Sequence, residues 1–159
     1  MFDTRLIVLL AACHAPAAEA PRRDPVTQWN AQHISITIAR SPAEVYAFAV
    51  EPSNLPKWAS GLAGGIKQVN GAWIASSPMG DVRVEFAPRN ELGVLDHDVT
   101  LPTGAIVHNP VRVLPNAAGS EVVFTLFQLP GMSEAKFGDD ARHVARDLQT
   151  LKTVLERDR

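Results

Sequence analysis

A single cysteine, Cys13, occurs among 159 residues, so the chain can form no intramolecular disulfide and no zinc site built from several thiolates. The fold must stand on an apolar core. An excess of positive charge is missing too: fifteen Lys and Arg against seventeen Asp and Glu leave a net charge of -2, whereas binding along a phosphate backbone calls for a basic surface. No nucleic-acid partner is expected. The chain has no Gly-x-Ser-x-Gly elbow, no P-loop, no Gly-x-Gly-x-x-Gly and no His-Glu-x-x-His, which removes the local signatures of several enzyme classes. Haem, iron-sulfur and nucleotide groups therefore have no support, and no cofactor is expected. What is present suits one compact domain: 46% of the residues are hydrophobic and 20% charged, at a length that leaves no room for two full domains.

Residues 1–31 stand apart as an N-terminal tail. The apolar run from Leu6 to Ala12 leads to Cys13, and Ala, Pro and charge then alternate through Pro25. That run is far too short to span a bilayer. Leu10-Ala11-Ala12-Cys13 resembles a bacterial lipobox, in which the cysteine thiol carries lipid, and Ala18-Glu19-Ala20 is a second, ordinary cleavage pattern that Pro21 disfavours. Against a signal, the apolar run is at the short end and Asp3 dilutes the charge of Arg5. Two expectations stay open: a cell-envelope lipoprotein touching the membrane only through lipid on Cys13, or a cytoplasmic protein whose tail is a non-structural extension from a misplaced start.

From residue 32 onward the pattern is regular. Ile34, Ile36 and Ile38 alternate with Ser35, Thr37 and Ala39 as one strand. Ser41-Pro42-Ala43-Glu44 supplies an N-cap, a proline at the first helical position and a capping-box acid, opening a short helix through Tyr46 and Phe48. A second short helix is expected around Asn54 to Ser60, with Leu55 and Trp58 toward the sheet. Strands follow at about 66–69, 72–77, 80–87, 93–101, 105–114 and 119–129. Hairpin parity pairs Trp73 with Val84, Ala75 with Val82, Val99 with Val107, His97 with Asn109, Val113 with Val122 and Val111 with Phe124, collecting one apolar face. Phe137, Ala141, Val144, Leu148, Leu151 and Leu155 then form the stripe of a long amphipathic helix over Ser133 to Arg157. A one-sided meander and a one-sided helix must bury each other, giving an α+β domain of about seven antiparallel strands, two short helices and a long C-terminal helix.

Certain segments carry a family resemblance. Ser41-Pro42-Ala43-Glu44-Val45-Tyr46-Ala47-Phe48 followed by Glu51-Pro52-Ser53-Asn54-Leu55-Pro56-Lys57-Trp58, then Asn90-Glu91-Leu92-Gly93-Val94-Leu95-Asp96-His97, Val122-Val123-Phe124-Thr125-Leu126-Phe127 and Pro130-Gly131-Met132 resemble a bacterial branch of the START-like, polyketide cyclase/dehydrase and lipid-transport (SRPBCC) superfamily. The likeness covers roughly residues 32–157. It implies the helix-grip fold, a curved sheet wrapped round the long helix, with a cavity between them for an apolar or amphipathic ligand.

His97 is the most informative polar residue, since alternation puts it with Leu95, Val99 and Leu101 on the inner face, where a polar ring needs a partner. Asn109 across the hairpin is expected to bond one ring nitrogen and leave the other for ligand. Asp96 and Asp98 should point to the convex side, with Asp98 facing His108, so no buried Asp-His dyad and no designed metal site is expected. Trp58, Trp73, Phe86, Phe124 and Met132 are the apolar residues expected at the cavity, with Tyr46 and Phe48 near its mouth and Gln128 as a further polar contact. Three functions remain open: binding of a small hydrophobic or amphipathic molecule, a cyclase or dehydratase using His97 as acid-base group, or a protein-interaction module.

Overall fold

The computed structural model describes residues 28–157; Cys13 and the tail's cleavage patterns lie outside the described residues. Strand β1 (Ala31–Ile38) buries Ile34 and Ile38, as its alternation requires, and leads into helix α1 (Pro42–Ala49). The capping box forms: Glu44 N–H donates to Ser41 Oγ, and Ser41 N–H donates to the Glu44 carboxylate at 2.9 Å. Helix α1 turns Val45 and Ala49 inward. The expected second helix is instead two short 3-10 segments, Pro52–Lys57 and Ser60–Leu62. Proline explains the difference. Pro56 has no N–H to return to Pro52, so the chain tightens into i to i+3 bonds, Asn54 N–H to Glu51 O and Trp58 N–H to Leu55 O.

Seven further strands follow: β2 (Ile66–Val69), β3 (Ala72–Ser77), β4 (Gly80–Phe86), β5 (His97–Thr100), β6 (Ile106–Asn109), β7 (Val111–Asn116) and β8 (Gly119–Phe127). They form a five-stranded antiparallel sheet, β2-β3-β4-β5-β6, and a three-stranded one, β1-β8-β7. The pairings named above are found, Trp73 with Val84, Ala75 with Val82, His97 with Asn109, Val99 with Val107, Val111 with Phe124 and Val113 with Val122, while Leu126, which the same parity sets opposite Asn109, pairs with Gln32 of β1 instead. Two boundaries differ from expectation. The segment 105–114 is divided at Pro110, which has no N–H to give, so its halves belong to different sheets and the strands among the described residues number eight. The segment 93–101 is divided to match. Gly93 to Leu95 bond to β7 through Leu95 N–H to Val111 O and Val113 N–H to Gly93 O, each 2.9 Å, while His97 onward pairs with β6.

The joint between the sheets is clasped by Asp96. Its Oδ1 accepts Val111 N–H at 2.9 Å and pairs with the Arg112 guanidinium. Partial burial works to raise the Asp96 carboxyl, but the bonds from Arg112 and Val111 and the Arg112 charge outweigh it and hold the group below its ordinary range. Asp96 was expected on the convex, solvated side; its carboxylate is instead half-buried and engaged.

Helix α2 (Glu134–Glu156) starts on Ser133, whose Oγ accepts Lys136 N–H, and buries Ala141, Leu148 and Leu151. Its C-terminal end is fastened to the end of β1: Arg40 Nε donates to Leu155 O at 2.8 Å, a cation at the negative end of the helix dipole, and Lys152 Nζ donates to Thr37 O at 2.6 Å. The apolar interior falls into two clusters. The larger one joins Ile34, Ile38, Val45, Val111, Val113, Val122, Leu148 and Leu151 between the three-stranded sheet, α1 and α2. The smaller one gathers Leu55, Ala75, Val82 and Val84 under the five-stranded sheet. Trp58 packs against both.

Candidate functional site

Between those two clusters lies a cavity of about 200 Å³. Leu148 of the larger cluster forms one wall and Leu55 and Val84 of the smaller one the other. Trp58, Ala59 and Leu62 cover one side, and Val99, Phe124 and Val144 complete the apolar lining. Three polar residues border it: His97, Asn109 and Asp147.

Trp58, His97, Asn109 and Phe124, all expected from the sequence, come together here. The other expected residues do not. Trp73 and Phe86 line an open cleft of about 410 Å³ that also carries Glu51, Arg83, Glu85 and Arg89. Tyr46 borders another surface cleft, of about 540 Å³, formed with Asn90 to Gly93 and Pro115, and its phenol oxygen accepts Asn90 N–H at 2.9 Å. Both clefts are larger than the cavity, yet neither lies between α2 and the sheet. Phe48 packs on the larger core cluster with the Lys57 ammonium 5.7 Å from its ring centroid. Gln128 accepts from Asn30 Nδ2 and donates to Met132 O, which fastens the strand end and the loop before α2. Met132 and Gln128 border none of these three spaces.

The partner expected for His97 is also corrected. Its Nδ1 lies 3.0 Å from Leu95 O, and a carbonyl only accepts, so Nδ1 carries the proton. Asn109 Nδ2 donates to Val107 O at 3.2 Å and more weakly to His97 O, not to the ring. His97 has Phe86 opposite on one side and Asn109 on the other, and the ring leans on Phe86, with centroids 4.9 Å apart. Nε2 has no partner within the described residues. Burial pushes the His97 imidazole below its ordinary range; the bond to Leu95 O and the Asp96 charge oppose this without cancelling it.

That direction fixes a sign. The folded state prefers neutral His97, so its contribution to stability is complete above the unfolded-state value near 6.5 and is lost as pH falls from there through the lower folded-state value. For one proton the slope reaches at most about 1.4 kcal/mol per pH unit. In urea denaturation from about pH 7 to 5, His97→Gln is expected to show a shallower loss of stability than wild type. Equal slopes would mean that another group carries the acid sensitivity.

Asp147 was not anticipated. It sits on the shoulder of the α2 stripe beside Leu148, and its Oδ1 accepts Ser60 N–H at 3.1 Å and Ser60 Oγ–H at 2.6 Å. The carboxylate therefore ties the second 3-10 segment to α2 at the cavity wall. Outside the cavity, Asp98 meets His108 Nδ1 at 2.6 Å as alternation required, and Asp96 is taken by Arg112. Among the described residues no group of three or more His, Cys, Asp or Glu side chains is placed to hold a metal ion.

No family model matches the chain, and no curated protein does. Solved structures do. The protein XoxI from Bacillus cereus superposes with a TM-score of 0.65 at 16% identity, covering 80% of this chain and 96% of the other. Ara h 8.0201 gives 0.61 at 15% identity over 80% of this chain and 98% of its own. DynU16, described as a putative protein in the dynemicin biosynthetic locus, gives 0.63 at 11% identity, over 80% of this chain and 47% of its own. These neighbours include, in Ara h 8.0201 and DynU16, proteins of the Bet v1-like and polyketide-cyclase type. The architecture is therefore the helix-grip fold, an α+β domain whose curved antiparallel sheet holds a long C-terminal helix.

Proposed function

We propose that this protein binds a small apolar or amphipathic molecule in the cavity between α2 and the sheet, without transforming it. The observation that carries this reading is the gap between the two core clusters, about 200 Å³ walled mostly by Leu, Val, Trp and Phe side chains. A core that needed only stability would close such a space, because voids forfeit packing energy. Neighbours of the Bet v1-like and polyketide-cyclase type support a ligand-binding fold. Binding is preferred to turnover because His97 has no carboxylate to share its proton: Asp96 is engaged by Arg112 and Asp98 by His108.

The test is a titration of the methyl-labelled protein with p-xylene, followed by NMR. Saturable shifts are expected at the methyls of Leu55, Val99, Val144 and Leu148. Shifts absent there, or confined to Leu92 and other surface methyls, would sink the reading.

A further inference from the structure

Three walls surround the cavity, and two of them are parts of the frame. Val84, His97 and Val99 belong to β4 and β5, each paired with a strand on both sides. Val144 and Leu148 belong to α2, which buries Leu148 and is fastened to the end of β1 through Arg40 and Lys152. The third wall is the connection from α1 to β2, contributing Leu55, Trp58, Ala59 and Leu62. Leu55 is buried in the smaller cluster and Trp58 packs on both, but beyond Trp58 the hold weakens. Ala59 N–H returns to Leu55 O, and the backbone bonds around Ser60–Leu62 are local. Among the described residues, the only hydrogen bonds from residues 60–64 to another element are the two that Ser60 gives to the Asp147 carboxylate, at 3.1 and 2.6 Å. The chain rejoins the sheet at Gly65, whose carbonyl accepts Ser76 N–H and whose φ of +104° suits glycine alone.

We propose that residues 59–64 are a lid through which ligand enters and leaves the cavity, and that Asp147 is the latch that holds this lid shut on Ser60. This rests on the cavity being the ligand site and adds how the site is reached. A segment with few hydrogen bonds to its surroundings is the first to open locally. Lifting it takes Ala59 and Leu62 off the cavity, breaks two hydrogen bonds to Asp147 and leaves the buried residues of both clusters in place. The competing route passes His97, which also borders a surface cleft of about 240 Å³. That route is barred by its own frame: the ring is bonded to Leu95 O and leans on Phe86, and β5 is paired on both sides.

The test is the exchange kinetics of p-xylene in the full chain, read by NMR at the Val99 methyls on the opposite wall. A latch acts on rates, whereas a residue that only supports the cavity's shape acts on affinity. Ser60 is not part of the lining, so Ser60→Ala, which removes the shorter bond, should raise association and dissociation rates together by about threefold and leave Kd within about twofold. Asp147→Ala removes both bonds and should raise the dissociation rate by about tenfold. Fixing the lid gives the opposite sign. In a Cys13→Ser background, Ser60→Cys with Asp147→Cys, oxidised with glutathione disulfide, should slow exchange by about 100-fold or more, and reduction should restore it. Should that disulfide fail to form, the two alanine variants decide alone. Exchange at the wild-type rate in the locked protein, or an unchanged dissociation rate in Asp147→Ala, overturns the lid and leaves the cavity reading standing. No shift with p-xylene in the wild type overturns the cavity reading, and the lid with it.

Discussion

Val144→Phe is expected to abolish ligand uptake while the protein stays folded. Val144 lies on α2, half-buried, packed on the larger cluster and facing the gap that separates it from the smaller one. A phenyl ring in place of its methyls enters a space of about 200 Å³ that is already open to receive it. The usual cost of enlarging a core residue is strain from displaced neighbours, and here the neighbours need not move. Phe and Val have similar helix propensities, so α2 itself should not object. The affinity for p-xylene should fall at least about 100-fold, roughly 2.7 kcal/mol, while stability stays within about 1 kcal/mol of wild type or rises as the void fills. Val144→Ala gives the opposite pattern: binding is kept and stability falls by about 1–2 kcal/mol. Methyl NMR titration with urea denaturation of the same samples reads both quantities. A Val144→Phe protein that still binds p-xylene with wild-type affinity would place the site elsewhere.

The contrast between what the sequence revealed and what it hid follows from the range of the interactions. Register was legible because a period of two with one buried face leaves no freedom: a slip by one residue would turn Ala75, Val82 and Val84 to solvent. The stripe on α2 and the cap at Ser41 were legible for the same local reason. The division at Pro110 was not, because inward alternation continues from Val107 through Asn109 and Val111 to Val113, in register with Leu95 and Gly93, and only the third dimension shows the chain passing from one sheet to the other. The cavity was half legible. Its wall residues Trp58, His97, Asn109 and Phe124 lie on the predicted inner face, but a space between clusters is decided by three-dimensional packing that a strand pattern does not carry. Trp73, on that same face, ends at an open cleft instead. Tyr46 shows the same limit, since its phenol is met by Asn90 from a loop far away in the chain. For His97 the face was readable and the partner was not, because a side-chain torsion chose Leu95 O and the Phe86 ring over Asn109.

Gly93→Ala is expected to be the most destabilising of the single-methyl changes, and the reason lies at the joint between the sheets. Gly93 has φ of +70°, where an L side chain costs about 1–2 kcal/mol. A Cβ there would also lie 2.2 Å from Val113 O. Both atoms belong to backbone, so no rotamer relieves the contact. The pairing of Gly93 and Leu95 with β7 must open, and with it the bonds Val113 N–H to Gly93 O and Leu95 N–H to Val111 O. A loss of about 3 kcal/mol or more follows. The effect reaches the cavity, because Leu95 O is the acceptor that orients His97; p-xylene binding should weaken in whatever fraction remains folded. Gly104→Ala separates the two costs. Gly104 also has positive φ, +84°, but nothing lies within 4 Å of its Cβ position, so only the conformational cost of about 1–2 kcal/mol applies. The difference between the two variants in urea denaturation measures the close approach alone. If both lose the same stability within about 0.5 kcal/mol, then the joint yields to an added methyl and Gly93 serves only its backbone angle.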